Sequence, residues 1–419
     1  MASCLVACSK SSTPAGRSRE KSAAPRAVQA SAEYPGWAVF TSLGDEPVFA
    51  IAAGFSTHVW LIPGGVDAPV LRVAFDGSYD TISMPSKIAG AVAVAAGPKG
   101  DMWVSEWFGK IGEIRMPDGP IREFSIGGPD KDAIGLALGP DRNLWFVARD
   151  GGAIGKITST GVATEYQPHL MNAGEAIAAG PGGDVWFCGF DSPPRSAQVR
   201  GIIGKVSPAG AITEYPVRDT SGLPFRLTVG GDGNVWVVVN DAQRDGHILR
   251  VTPSGSMTAF AVRGNPRDIV ADGPDKLDFT IDSTPSFGEI ALDGQISTIP
   301  LPGGPTARAT ALTVTPNGDV WFGGSLNGKG AVFVRLASKI DVTPASVTLA
   351  APGASQKITV SEKKYSGKWK VQSSDDGIVD VTKGKTLDTF TVVAISDGTC
   401  MLTIADKKGN STTIPVTVK

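Results

Sequence analysis

The chain has four cysteines in 419 residues, and no apolar run approaches the length needed to cross a bilayer. The cysteines stand at 4, 8, 188 and 400, in three separate regions, which excludes a disulfide-stapled fold. Cys188 and Cys400 read as small buried hydrophobes. Neither sign of charge is in excess: 39 Lys and Arg face 41 Asp and Glu, a formal charge of −2. Without a broad basic face, nucleic acid is not an expected partner. Histidine is scarce as well, with His58, His169 and His247 the only three. What is plentiful is glycine, 52 residues, and proline, 30, which suit an all-β chain with many turns.

One tryptophan recurs about every 42 residues, reached through a common phrase. It reads His58-Val59-Trp60, Asp101-Met102-Trp103, Asn143-Leu144-Trp145, Asp184-Val185-Trp186, Asn234-Val235-Trp236 and Asp319-Val320-Trp321. A further copy, Lys276-Leu277-Asp278-Phe279, keeps the frame with Asp in place of Trp. Repeats of this length, made of short strands without helical periodicity, predict a seven-bladed β-propeller with one blade per repeat. Within each repeat an apolar strand such as Ala91-Val92-Ala93-Val94-Ala95 leads through a Gly/Asp/Asn turn to the Trp strand. A third strand (Ile154-Gly155-Lys156-Ile157) and an outer strand (Ile212-Thr213-Glu214-Tyr215) complete the unit. The recurrent indole is expected to fill the wedge between neighbouring blades.

The last repeat stops after Ala331-Val332-Phe333-Val334-Arg335-Leu336 with no outer strand, while Gly36-Trp37-Ala38-Val39-Phe40-Thr41 has an outer-strand pattern and no repeat of its own. Residues 36–41 are therefore expected to close the last blade. The longest step between repeats, 50 residues, comes from Asp191 to Arg200, and a shorter polar loop runs from Asn240 to Gly246. Both are expected on the face that binds.

These patterns divide the chain into residues 1–33, a propeller over 34–337 and an Ig-like β-sandwich over 338–419. The last segment resembles the bacterial Ig-like group 2 domain in Ile340-Asp341-Val342-Thr343-Pro344, Trp369 with Ser373-Ser374, and Gly398-Thr399 with Leu402-Thr403-Ile404. That resemblance implies an extracellular spacer or adhesion module docking to a cell-envelope component. Leu5-Val6-Ala7-Cys8 resembles a bacterial lipobox in which Cys8 is lipidated, although only seven residues precede it. The Ser-, Ala- and Arg-rich stretch to about Ala32 reads as a disordered tether. The expectation is a secreted protein, or one held at the bacterial cell envelope by a lipid anchor alone.

The repeats themselves resemble the virginiamycin B lyase (streptogramin lyase) family. The residues that carry the likeness are Gly139 to Phe146, Ile154-Gly155-Lys156-Ile157-Thr158 and Thr164-Glu165-Tyr166. The resemblance implies a cyclic-ester-opening elimination with a bound Mg²⁺ and a histidine base, placed where the chain enters the innermost strands of the last two blades. Counting eleven residues back from each Trp position finds Phe49, Val92, Ile134, Glu175, Phe225, Arg267 and Thr310. Arg267 and Thr310 stand where the family lyases have histidine, and Arg308 stands where they have Glu. Arginine is no base near neutral pH, and threonine without an activating partner is a poor one. Pro168-His169 mimics the family dipeptide but lies seventeen residues before Trp186, on the outer side of a blade.

The expected catalytic set is therefore empty, and no cofactor is expected; Mg²⁺ belongs only to the lyase alternative. The expected binding set is Phe49, Glu175, Phe225, Arg226, Arg267, Asp268 and Arg308, with Glu175 and Arg267 opposed across a channel. Such a set receives an anionic or polar ligand: a small polar molecule, a glycan or a peptide. Glu106, in the one retained copy of the family's Trp-Phe-Thr-Glu phrase, is a lone carboxylate and makes no metal site. The competing expectation is a divalent-metal-dependent lyase or lactonase with a rearranged site.

Overall fold

The computed structural model describes residues 19–21, 27–28 and 37–419, apart from 42, 55–57, 66–67, 87–89, 117–118, 128–130, 192–198, 219–221, 241–244, 338–339, 345, 363–366 and 408–410. The lipobox with Cys8 and most of the expected tether lie outside the described residues, as do the centres of the loops after Asp191 and Asn240. The chain divides into two compact units, one containing Val39–Val334 and the other Arg335–Lys419.

The first unit is a succession of antiparallel sheets. Sheet 1 runs from an innermost strand, Val48–Ala53, outward through His58–Pro63, Val70–Ala74 and Tyr79–Ile82. Sheets 2 to 7 begin in the same way at Ala91–Ala96, Ala133–Leu138, Ala173–Ala179, Leu223–Val229, Pro266–Ala271 and Arg308–Val314. Each innermost strand lies against the next, and Arg308–Val314 lies against Val48–Ala53, so the row closes on itself. Second strands such as Leu144–Ala148 are buried along their whole length. They are covered on both faces by neighbouring sheets, which is why they read as unbroken apolar runs.

The seams between sheets are filled by the recurrent indoles. Trp60, Trp103, Trp145, Trp186, Trp236 and Trp321 are all fully buried. Trp145 of sheet 3 shares a core with Val185, Phe187 and Ile202 of sheet 4, and Trp186 shares one with Val235 and Val237 of sheet 5. Four of the indoles lie flat against an aromatic ring of their own outer strands: Trp103 on Phe124, Trp145 on Tyr166, Trp186 on Tyr215 and Trp236 on Phe260, with centroids 5.6–5.9 Å apart. A third-strand cation stands over three of them, Lys156, Lys205 and Arg250. Burying one such ring removes about 150–250 Å² from water, a gross gain of roughly 4–6 kcal/mol.

Two glycine contacts keep this stack tight. A Cβ on Gly139 would lie 2.3 Å from the Trp145 ring. Gly161, at φ +89°, lets the turn of sheet 3 rest on Phe124 of sheet 2, where a Cβ would come within 2.3 Å.

The same device closes the ring. The strand Trp37–Thr41 lies beside Lys329–Arg335 on the outer side of sheet 7. Its Phe40 stacks on Trp321 at 5.6 Å and 21°, and Gly77 of sheet 1 covers Phe40 as Gly161 covers Phe124. Phe75 of sheet 1 reaches the same indole at 5.8 Å. The chain thus supplies the missing outer strand from its N-terminal side.

Sheet 6 departs from this pattern at three matched positions. Asp278 replaces the tryptophan, Asp272 replaces the glycine that lies over the indole in sheets 1 to 5, and Glu289 replaces the cation that stands over the indole in sheets 3 to 5. The three carboxylates converge within 4.8 Å in the space one ring would fill. Lys276 enters that space, bonding Asp272 at 3.1 Å and also Glu289, and supplies the positive charge the cluster needs. The apolar seal shifts to Phe287, which meets Phe322 of sheet 7 at 4.6 Å.

The second unit holds two sheets around one core. One orders Ile340–Thr343, Ser355–Glu362, Thr389–Ala394 and Val379–Lys383; the other orders Val347–Leu349, Ser411–Val418, Gly398–Ala405 and Lys370–Ser373. Strict alternation along Ser355–Glu362 and Gly398–Ala405 buries one face of each sheet against Trp369, Ile358, Leu402 and Ile404. Trp369 donates Nε1–H to Asp388 at 2.9 Å. Cys188 and Cys400 are both free and buried, each in a different unit.

Truncating an indole empties a seam rather than a surface. Trp145→Ala is expected to cost about 3–5 kcal/mol in chemical denaturation. Phe40→Ala, which removes the ring that seals the closure, is expected to cost a similar amount, about 3–5 kcal/mol; an unchanged denaturation midpoint would contradict its placement.

Candidate functional site

Every innermost strand carries a β-bulge at the same place. The register with the second strand slips between Val48 and Ala50, Ala91 and Ala93, Ala133 and Gly135, Gly174 and Ala176, Pro224 and Arg226, Pro266 and Ile269, and Ala309 and Ala311. The residues left out of the ladders are Phe49, Val92, Ile134, Glu175, Phe225, Arg267 with Asp268, and Thr310. A bulge re-aims its extra residue away from the normal alternation. Here all of them line one cavity of about 280 Å³. Apolar wall comes from Ile51, Val92, Ile134, Ile177, Leu227 and Leu312, and the polar groups are Glu175, Arg226, Arg267, Asp268 and Thr310.

Much of this polar set is engaged in holding the ring. The Asp268 carboxylate accepts from Ile269 N at 2.9 Å and from Leu312 N at 3.0 Å, tying sheet 6 to sheet 7. Burial raises its pKa, opposed by Arg226 and by those two N–H groups. Thr310 donates to Val48 O at 2.7 Å, tying sheet 7 to sheet 1. Arg226 Nη1 donates to Phe225 O at 2.9 Å and Glu175 O at 3.4 Å. Arg267 makes no ion pair with Glu175; its Nε lies 3.5 Å from Asp282. Arg308 does not line the cavity at all. Its Nη1 donates to the carbonyls of Pro305 and Ala307, at 2.8 and 2.7 Å, and the side chain folds back on its own turn.

Glu175 is different. It is 7% exposed, and among the described residues its carboxylate has no hydrogen-bond or ion-pair partner. Burial raises its pKa, and the charges of Arg149, Arg226 and Arg267 partly offset that rise. Arg149 was not among the expected residues. It sits four positions after Trp145, and its carbonyl accepts from Gly174 N at 3.2 Å, beside the Glu175 bulge. The available signal was this slot at or just beyond the end of the second strand, which also carries Trp107 and Phe190.

The donor set does not suit a divalent cation. One carboxylate in the cavity is uncommitted, and three guanidiniums surround it, whereas Mg²⁺ seeks several hard oxygen ligands. None of His58, His169 and His247 lines the cavity. His169 is exposed, with its backbone N–H on Glu214.

The face at the bulged ends is also where apolar side chains meet water. Among the described residues of the first unit, Phe49, Trp107, Phe108, Leu170 and Val199 are exposed here, against Val162 alone elsewhere. Phe108 holds φ at +64°, unusual for a bulky residue.

At the edge of this face lies a second buried carboxylate, Glu106. It is 0% exposed, and neither oxygen has a hydrogen-bond partner. Its position in the other repeats holds Pro63, Ala148, Gly189, Val239, Ile281 or Gly324. Burial, reinforced by the charge of Glu123 and opposed by Lys110, pushes its pKa up to about 8.

A closed ring of antiparallel sheets, with a cavity at one end of the innermost strands, defines a β-propeller. The chain matches the virginiamycin B lyase family over residues 39–322, and again over 195–396, and it belongs to that family. It is 26% identical to a virginiamycin B lyase of Nocardia farcinica over 248 residues, covering 56% of this chain and 80% of that protein. The crystal structure of virginiamycin B lyase from Staphylococcus aureus superposes with a TM-score of 0.62 at 22% identity, over 72% of this chain and 100% of the other. A streptogramin B lyase structure gives 0.61 at 23% identity, over 71% and 96%. At such identity these structural likenesses concern the fold.

Glu106 makes stability depend on pH. Its proton is held more tightly in the folded chain than in the unfolded one, where the ordinary value is 4.5. The contribution is therefore complete at acid pH and is lost as pH rises through about 8. Glu106→Gln is expected to raise the thermal midpoint above about pH 8 and to leave it unchanged near about pH 4. Parallel melting curves at both pH values would contradict this account.

Proposed function

We propose that this chain is a seven-bladed propeller that binds a polar ligand at the bulged mouth and has lost the elimination chemistry of the family's lyases. The observation that carries the reading is the bulge ring itself. Seven sheets contribute a re-aimed residue to one cavity, and those residues bring arginine, glutamate, phenylalanine and threonine but no histidine. A cavity with apolar walls and a few convergent polar groups is the ordinary form of a small-molecule site. Small polar molecules, glycans and peptides are the ligand classes this reading admits.

The two-sheet unit after Arg335 is part of the same proposal, as an Ig-like domain of the bacterial group 2 type that spaces or docks the propeller at an envelope component. Export, with lipidation at Cys8, would place the protein at the bacterial cell envelope.

A second reading keeps ester-opening chemistry. Glu175 is the one cavity carboxylate left uncommitted, and burial raises its affinity for a proton, as a general base requires. The divalent-metal-dependent lyase or lactonase implied by the family loses its metal here, because the donor set does not suit one. Glu175 would then have to act alone.

Quinupristin accompanies a catalytically inactive form of the Staphylococcus aureus enzyme, which makes it the appropriate substrate to offer. The binding reading expects quinupristin to be recovered intact by mass spectrometry after incubation with the full chain, with and without Mg²⁺. It also expects saturation-transfer NMR signals from a panel of polar small molecules, glycans and peptides, lost in Arg267→Ala. Ring-opened product that disappears in Glu175→Gln would establish the second reading instead.

A further inference from the structure

The cavity wall sets two guanidiniums against one ring. Arg226 and Arg267 come from the innermost strands of sheets 5 and 6, and their Cζ atoms lie 4.8 and 4.9 Å from the centre of Phe225. The ring's electrons attract both, but two like charges held this close also repel, and a cavity with apolar walls screens them less than open water does. Asp268 and Glu175 share their electrostatic environment, yet neither gives Arg226 or Arg267 a direct ion pair. Asp268 spends its carboxylate on two backbone N–H groups. Asp282 meets only Arg267 Nε, at 3.5 Å, and both side chains of that pair are more than a third exposed. Glu175 pairs with neither arginine.

The donors left over are specific. On Arg226 only Nη1 is engaged, with the carbonyls of Phe225 and Glu175. Nε and Nη2 of Arg226, and both Nη atoms of Arg267, have no hydrogen-bond partner among the described residues. Two planar forks with free N–H groups, each stacked on an aromatic face, form the arrangement in which arginine recognises a carboxylate bidentately. No lysine lines the cavity, and the remaining wall is aliphatic: Ile51, Val92, Ile177 and Leu312 among others. At about 280 Å³ the space is slightly below the usual range for drug-sized ligands, roughly 300–1,000 Å³. It fits a molecule of one ring or a short branched chain.

From this, and resting on the binding reading above, we infer that the ligand is a small organic carboxylate, its carboxylate held by Arg226 and Arg267 and its apolar body set against the aliphatic wall. Glu175, in the same wall, acts against the anion whenever it is ionised, so it limits affinity and favours ligands whose carboxylate lies on the arginine side.

The test uses the intact chain and three probes in isothermal titration calorimetry at low salt: benzoate, its neutral isostere benzamide, and inorganic phosphate. Benzoate is expected to bind, more weakly as salt is raised, and benzamide at least about tenfold more weakly than benzoate. Arg226→Ala and Arg267→Ala are each expected to weaken benzoate by about 10- to 100-fold. Glu175→Gln, which keeps shape and removes a charge, is expected to tighten benzoate. Should Arg226→Ala fail to fold, the benzoate and benzamide comparison on the unaltered chain still decides. Equal binding of the two overturns the carboxylate assignment while leaving the binding reading intact. Phosphate binding without benzoate overturns the apolar half of the assignment. No binding of any probe, beside positive signals from the wider panel, overturns the inference alone; silence from both overturns the reading beneath it as well.

Discussion

An indole pressed between one sheet and the next is the contact on which the ring depends. Its large face is covered by an aromatic ring from its own outer strand, and its edge lies against a glycine that has no side chain to intrude. The neighbouring sheet supplies the rest of the seam, as Val185 and Phe187 do for Trp145. Flat sheets stacked face to face would need no such wedge. Twisted sheets set radially do, because the gap between them widens outward and must be filled by something broad and rigid. Sheet 6 shows that the gap can also be filled by charge: three carboxylates and Lys276 occupy the volume of the absent ring, and Phe287 takes over the apolar seal.

From that regularity the site follows. With each sheet held at a fixed angle, the bulge in each innermost strand falls at one height and sends one residue toward a common space. The chemistry of the mouth is therefore set by one or two residues per sheet. In this member of the virginiamycin B lyase family the positions hold arginine and threonine where histidine chemistry would be expected. Two of the polar groups double as braces between sheets: Asp268 joins the innermost strands of sheets 6 and 7, and Thr310 joins those of sheets 7 and 1. The site and the closure of the ring share atoms.

The repeat was legible because the indole and the turn before it recur at nearly constant spacing. Since the bulge keeps its distance from that indole, a count of eleven residues located Phe49, Glu175, Phe225 and Arg267 in one cavity before any coordinates. Spacing could not tell what each side chain does on arrival. Arg308 is two residues from a cavity position, yet it bonds its own turn. Glu175 and Arg267 look like a neutralising pair in one dimension, but Arg267 reaches outward to Asp282. Arg149 comes from beyond a second strand, a segment whose length varies between repeats. Glu106, the last residue of its strand, is fully buried, and its spacing in the sequence carries no sign of that burial.

The strand that completes sheet 7 is made before the seven innermost strands of the ring, and its partner, Lys329–Arg335, is made after all of them. A ribosome adding about 5–20 residues per second would leave Phe40 without its indole for tens of seconds. Throughout that interval both edges of the growing row of sheets stay open to pairing with other chains. Biogenesis thus has a built-in delay that no local folding speed can shorten, and a cell making this protein must keep Trp37–Thr41 soluble until Lys329–Arg335 emerges.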